Sequence, residues 1–140
     1  MNAGVYYSMN KSLSQLLLTV IVSLIFAGLA PGQKAPAGYS QADYEQGLAD
    51  AQKDTSHGVL AYEFAGLPAP TDDELIRLMK ERYNIEMRRV AGDEVLIDRI
   101  SHMIGYNEIA LPEIQRRFGK DILQKVADEA KANYEKEHKQ

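Results

Sequence analysis

Two runs of acidic residues are the side chains in this sequence whose type and spacing could bind a ligand. The first run consists of Asp72, Asp73 and Glu74 and follows a segment that we predict to be a strand. The second run also follows a predicted strand and consists of Asp93 and Glu94. Carboxylates bind calcium and attract basic peptides. In a parallel βαβ unit both strands end at one edge, where α/β proteins tend to bind ligands. We therefore predict a candidate ligand or cation edge, made of Asp72, Asp73, Asp93 and Glu94.

The same acids also have a structural interpretation, because both runs precede predicted helices. Thr71 and Glu74 have the spacing of a capping box, and Asp93 is placed to cap the next helix. Acidic residues in a first turn complement the positive end of the helix dipole. The capping and ligand interpretations both remain open, and neither requires a cofactor.

Other catalytic chemistry has little support in the sequence, which contains no cysteine. Ser56 and His57 are adjacent, which does not place the hydroxyl on the imidazole, and phosphate-binding glycine motifs are absent. Glu94, Asp98 and His102 fall on one helix face but lack the HExxH pattern, so we interpret them as a solvated face. We predict no metal site and identify no catalytic residue.

The elements that position these residues are predicted from hydrophobic periodicity and capping signals. A βαβ unit consists of a strand over 59–65, a helix from Thr71 to about Tyr83, and a strand over 85–91. A helix over 38–54, with Ser40 as its N-cap, precedes the unit. Two further helices follow, the last beginning at Asp121. We expect an α+β fold in which a βαβ unit of two or three strands packs against a long kinked helix and a C-terminal helix.

The long helix is predicted from a single apolar stripe, interrupted by Pro112, which should kink the helix or restart it near Ala110. Asn107 lies in this stripe beside Tyr106. A buried amide needs partners, so we expect Asn107 to bind the backbone of a neighbouring element, with a pocket role for Tyr106 and Asn107 as the alternative. The stripe consists of Leu96, Ile100, Met103, Asn107, Leu111, Ile114 and Phe118.

A sheet of only two strands is marginal in water, and its open edges can pair with other chains. A competing prediction makes residues 95–97 a short third strand, paired as a hairpin through Gly92 and Asp93. If the third strand does not form, a second copy of the chain could pair with the open edge, so we hypothesise a homodimer.

The N-terminal part of the chain has the pattern of a secretion signal. Residues 16–30 carry no charge and are too few for an ordinary membrane span, and Met9 and Lys11 resemble the start of a signal peptide. Ala35 and Ala37 are small residues at the positions that signal peptidase reads. We predict a signal peptide over residues 1–37, with translation starting at Met9 and cleavage after Ala37. The alternative is an uncleaved anchor in the inner membrane.

The predicted mature chain, residues 38–140, is one acidic domain. Lys11 and Lys34 precede the cleavage position, and all 20 acidic residues follow it. Nucleic-acid binding needs clustered positive charge, and the two arginine pairs, at 88–89 and 116–117, are flanked by acids. We interpret both pairs as solvated faces, and we expect neither nucleic acid as a partner nor membrane attachment after cleavage.

The long predicted helix contains Gly105-Tyr106-Asn107 and then the run IQRRFGKD at residues 114–121. These motifs resemble the FEKKY-domain group of small exported bacterial proteins, and the similar layout extends over residues 47–122. The letters FEKKY themselves are absent. The resemblance implies export and a compact α+β domain; the group has no characterised activity, so it assigns no catalytic residue.

These patterns predict an exported periplasmic or cell-surface domain that acts as a non-enzymatic module and binds a protein or a small ligand. One alternative is a small metal-dependent hydrolase that uses the acidic edge. The other is a membrane-anchored accessory subunit whose uncleaved N-terminal helix packs against a partner.

Overall fold

A computed structural model describes residues 33–92 and 96–138 of the chain. The predicted signal segment, apart from its last residues 33–37, lies outside the described residues, as do Asp93 and Glu94. The described elements, in chain order, are α1 Gln41–Ser56, β1 Leu60–Ala65, α2 Asp72–Tyr83, β2 Ile85–Ala91, α3 Ile97–Phe118 and α4 Ile122–His138. This is the expected α+β fold.

The sheet of the described residues consists of β1 and β2, which pair in parallel as the βαβ pattern predicted. Leu60 lies opposite Ile85, and Glu63 lies opposite Arg88. The register shifts between Phe64 and Ala65, so the ladder is irregular at the carboxyl end of the strands. Leu96 is outside any strand and Ile97 begins α3, so these two residues do not form the alternative third strand.

Helix boundaries follow local sequence signals where a short-range hydrogen bond decides them. The side chain of Ser40 accepts a hydrogen bond from the Asp43 amide at the start of α1, as predicted. Asn84 ends α2 in the left-handed conformation, with φ of 52°, also as predicted.

The predicted start of α2 at Thr71 is confirmed, but its predicted capping bond is not, and the predicted start of the long helix is wrong. Thr71 occupies the N-cap of α2, but its side chain makes no capping hydrogen bond; instead Asp72 accepts a hydrogen bond from the Ala69 amide, at 2.5 Å. The long helix begins at Ile97 with Leu96 as its N-cap residue, so the predicted start directly after Asp93 is wrong. An aspartate within the helix, Asp98, supplies the acidic charge of its first turn.

One face of the sheet carries the main apolar core. Leu60 and Ile85, paired across the sheet, contact residues of α2, α3 and α4. Exclusion of these side chains from water is the main source of stability for a chain that has no disulfide. The buried members of this core are Leu60, Leu78, Met79, Ile85, Ile114, Ile122, Val126 and Ala130.

The opposite face of the sheet is covered by α1 and α3, which cross at two glycines. A Cβ atom on Gly47 would lie 2.1 Å from the His102 carbonyl oxygen, and one on Gly105 would lie 2.1 Å from that of Tyr44. Backbones this close leave no room for a side chain at either position.

The predicted apolar stripe of α3 therefore matches its buried face only at the C-terminal end, where Ile114 is buried and Phe118 packs against the core. Met103 and Leu111 are partly exposed, whereas small residues lie at the contact with α1, because the closest approach of two helices requires small side chains. The buried residues of α3 are Ser101, Gly105, Tyr106, Ala110 and Ile114. The helix also continues through Pro112, so the predicted restart near Ala110 is wrong.

Asn107 closes the outer edge of β1. Its side-chain oxygen accepts a hydrogen bond from the Glu63 amide at 3.0 Å, and its amide group donates to the Glu63 carbonyl at 2.6 Å. The side chain thus replaces a neighbouring strand at this point of the ladder. The expectation that Asn107 binds the backbone of another element is confirmed.

Within residues 33–92 and 96–138, no helix combines the length and the apolar character needed to cross a membrane.

Candidate functional site

The structure describes two of the four residues of the predicted acidic edge, Asp72 and Asp73. Asp72 pairs with Arg89, and the same carboxylate oxygen accepts the Ala69 amide. Asp73 lines a shallow cavity between α2 and the C-terminal part of α4, together with Asn133 and His138. Since Asp72 is already engaged by a cation, it is poorly placed to bind a second one. Asp93 and Glu94 lie outside the described residues.

A different cavity, of about 370 Å³, lies beside the first turns of α1 and α3. It is close to the carboxyl end of the strands, because Val90 contributes to its wall and Glu63 to its floor. The lining is mostly charged, which is unusual for a site of this size. The lining residues are Asp43, Glu63, Val90, Asp98, Arg99 and His102.

The floor of this cavity is formed by a histidine held between two carboxylates. His102 Nδ1 lies 3.0 Å from Glu63 Oε2, and Nε2 lies 3.1 Å from Asp50 Oδ2. A carboxylate can only accept, so both ring nitrogens donate when both acids are ionised, and the ring is then an imidazolium. Only 7% of the Glu63 side chain is exposed, so the cation on His102 compensates a buried charge.

The pKa of His102 reflects opposing influences. Burial of the ring by itself lowers the pKa, but the hydrogen bonds to Asp50 and Glu63 and the negative charges of both raise it, and the result lies above the ordinary value of 6.5. The pKa of Asp50 is lowered by hydrogen bonds from Gln46 and from His102. The geometry and the electrostatics therefore both favour the charged form of His102.

A second polar cluster lies beside the first, on the same face of the sheet. Arg88 donates to Asp54 at 2.7 Å and to Glu86 at 2.8 Å, and the Tyr106 hydroxyl donates to the same Asp54 oxygen at 2.7 Å. The rings of His102 and Tyr106 are stacked 6.1 Å apart and connect the two clusters. Because the Tyr106 hydroxyl is used here and Asn107 binds the β1 backbone, neither residue lines the cavity beside His102.

The arginine pair at 88–89 is correspondingly not a purely solvated face. Arg88 pairs with Asp54, and Arg89 pairs with Asp72 and lies over the ring of Phe64. The pair at 116–117 does match the prediction, because both arginines are exposed and pair with Glu113 on their own helix. The hydrogen bonds from these two arginines lower the pKa of Glu113 to about 2.

The chemical groups of the cavity suit electrostatic binding better than bond-making. The neighbouring hydroxyl of Ser101 donates to the Ile97 carbonyl and accepts the Ser40 amide, so it is not directed at the imidazole. The pKa shifts that carboxyl groups show in the described residues are all downward, which favours their charged forms. Among the described residues, no group of three or more His, Cys, Asp or Glu side chains is arranged to hold a metal ion.

The carboxylates of Asp43 and Asp98 stand at the rim of the cavity, each in the first turn of its helix. Within the described part of the chain, neither side chain makes an ion pair. The rim and floor together hold three acids against Arg99 and His102, so the cavity carries a net negative charge even when His102 is protonated.

Sequence reasoning missed Glu63 and Asp50 and assigned His102 to a solvated face. The signal that could have found them is Glu63 itself, the one charged residue in an otherwise uncharged strand. A strand carboxylate covered on both sides requires a partner. His102, on a helix that covers that face, is such a partner, although only the fold brings the two together.

No family model matches this chain, and no curated protein and no solved structure is significantly similar to it. The resemblance to the FEKKY-domain group stays a prediction.

Proposed function

We propose that this protein is an exported, non-enzymatic binding module that takes a small organic cation, such as a primary amine, into the cavity beside His102. The observation that supports the proposal is the pair of rim carboxylates, Asp43 and Asp98, above a floor in which His102 already pairs with Glu63 and Asp50. An ammonium group placed between these carboxylates would gain charge-assisted hydrogen bonds.

The floor residues have a supporting role in this proposal. His102 satisfies the buried Glu63 carboxylate, so this acid does not need the ligand to compensate its charge. The rim acids therefore determine ligand charge, and the floor determines the shape of the cavity. The positive ends of α1 and α3 oppose cation binding in part, so we expect a dissociation constant on the order of 1 mM.

The experiment is an NMR titration of the protein with 1,4-diaminobutane, with 1,4-butanediol as the neutral probe of similar shape. We expect the diamine to shift the amide resonances of residues 43, 98, 99 and 102. The double substitution D43N/D98N should weaken binding by about fivefold or more, because each exposed carboxylate contributes up to about 1 kcal/mol.

The matched control is D73N, which removes an aspartate from the first turn of α2, at a different cavity. This variant should bind the diamine as the wild type does. Equal affinity for diamine and diol, or shifts that D43N/D98N leaves unchanged, would contradict the proposal.

Export is the second part of the proposal and is supported by the uncharged run at residues 16–30 and the small residues Ala35 and Ala37. An extracytoplasmic position would expose the cavity to ligands that are not cytoplasmic metabolites. In the alternative, an uncleaved N-terminal helix would hold the same domain at the inner membrane as an accessory subunit.

A further inference from the structure

The two outer edges of the small sheet differ. Asn107 occupies the outer edge of β1, whereas in the described part of the chain β2 has no second neighbouring strand. An unpaired strand edge presents a row of N–H and C=O groups that can pair with another chain. The edge of β2 is therefore a candidate interaction surface separate from the cavity beside His102.

The backbone groups that face outward on β2 follow from the register. The Glu63 amide and carbonyl point away from β2, since both bind Asn107. In a parallel pair, its opposite residue Arg88 then directs both backbone groups toward β1. The residues on either side of Arg88, Met87 and Arg89, direct theirs outward, as does Ile85.

The charges on β2 are arranged symmetrically about one of these outward-facing residues. Glu86 precedes Met87 and Arg88 follows it, and both charged side chains lie on the same face of the sheet. They pair with each other at 2.8 Å within the chain, but they are 41% and 36% exposed, so a partner chain can still reach both.

We propose that β2 pairs with the β2 of a second copy of this chain, in antiparallel orientation, about a two-fold axis at Met87. In this register Met87 faces its own copy, Glu86 faces Arg88 of the partner subunit, and Arg88 faces the partner's Glu86. Ile85 is fully buried, so the outward backbone groups that a partner can reach are those of the partly exposed Met87 and Arg89, and the ladder is centred on the pair that Met87 makes with its own copy. A two-fold axis at Glu86 or at Arg88 would instead place like charges opposite each other, which is destabilising.

The dimer has a four-stranded sheet in the order β1-β2-β2-β1. Two strands alone are marginally stable, whereas four strands with covered faces form an ordinary sheet. The two-fold axis uses both copies of the open edge, so no further copy can add.

The first test measures the dimer dissociation constant by sedimentation equilibrium of protein purified from cells that express the full chain. We expect a wild-type dimer and at least about tenfold weaker association for E86R, because the introduced positive charge then faces Arg88 of the partner subunit. The matched control is E81R, which reverses an exposed acid that pairs with Arg77 of its own helix and should leave association unchanged.

Mixing gives a second test of the same register. E86R and R88E should each associate weakly alone, but a mixture of the two should form a heterodimer, since opposite charges again face each other. A dimer that E86R does not weaken, or a wild-type monomer throughout the concentration series, would overturn the proposal.

The register is also tested by a disulfide, because the wild-type chain contains no cysteine. Residues facing each other in a hydrogen-bonded antiparallel pair have Cα atoms about 5.5 Å apart, within the range of a disulfide. M87C should form a covalent dimer under mild oxidation much faster than the control E81C. Equal rates for the two variants would contradict a two-fold axis at Met87, even if R88E failed to fold.

Discussion

At the scale of single residues, His102 connects three parts of the chain. Its ring joins Asp50 of α1 to Glu63 of β1 from a position on α3. Removing one partner leaves a buried carboxylate without compensation, which costs more than the pair contributes. The cation is therefore important for stability whether or not the cavity binds a ligand.

Because of this role of His102, we predict that the stability of the protein depends on pH. The folded-state pKa is above the ordinary value of 6.5, so the contribution of the charged ring is fully present below that value and is lost as pH rises through the folded pKa. On the acid side, the lowered pKa of Asp50 keeps that contribution present above the ordinary value of 3.8. Between these limits, H102Q should reduce the free energy of unfolding by about 1–3 kcal/mol, and by less in alkaline solution.

Urea unfolding of wild type and H102Q over a pH series measures this difference. H57Q is the control, because His57 is exposed and its ring contacts the Lys53 carbonyl of its own helix. If the difference in the free energy of unfolding between H102Q and wild type did not change with pH, the protonated ring of His102 would not be its cause.

The residue scale also shows how far side-chain roles can be predicted from the sequence. Asn107 could be predicted to bind a neighbouring backbone, because a buried amide needs partners and a helix has no free backbone groups to offer in its middle. The partner, Glu63, could not be predicted, since it is 44 residues away along the chain.

At the scale of secondary-structure elements, the crossing of α1 and α3 determines where the cavity lies. The closest approach at Gly47 and Gly105 brings the first turns of the two helices together, and these turns carry Asp43 and Asp98. Any change that separates the helices should therefore affect both stability and the rim of the cavity.

We predict that G47A and G105A each destabilise the fold by about 2 kcal/mol or more, because the added Cβ would overlap a backbone carbonyl of the other helix. The sign of the change in the free energy of unfolding is informative, because alanine is otherwise favoured over glycine inside a helix by about 1 kcal/mol. Chemical denaturation of the two variants measures the effect.

G92A is the control, because nothing lies within 4 Å of the position of its added Cβ. It should leave the free energy of unfolding within about 0.5 kcal/mol of the wild type. A stabilised G105A would show that α1 and α3 do not approach each other closely in solution.

The elements differ in how well their sequences specify them. The end of α2 at Asn84 was predictable, because the left-handed conformation is a local property of that residue. The start of α3 was not, because Leu96 has no capping side chain and the helix begins where packing allows it. The part of α3 that contacts α1 was missed for a related reason, since hydrophobicity indicates large side chains and the crossing uses small ones.

At the scale of the whole molecule, export and assembly are the open proposals. We predict that cells expressing the full chain yield a product that begins at Gly38, found in an extracytoplasmic fraction, because a short uncharged run followed by small residues is a substrate of signal peptidase. Intact mass and N-terminal sequencing of cell fractions measure this. A membrane-bound product that begins at Met9 would instead support the anchored alternative.

The sequence by itself determined the class of fold, because it depends on local terms: helical and strand periodicity, the Ser40 cap, the Asn84 stop and the order of the elements. The tertiary structure alone decided the site. Asp50, Glu63 and His102 come from three elements far apart in sequence, and their meeting depends on the two glycines that let α1 and α3 touch. A buried charge indicates that a partner is needed, but long-range packing selects which residue that partner is.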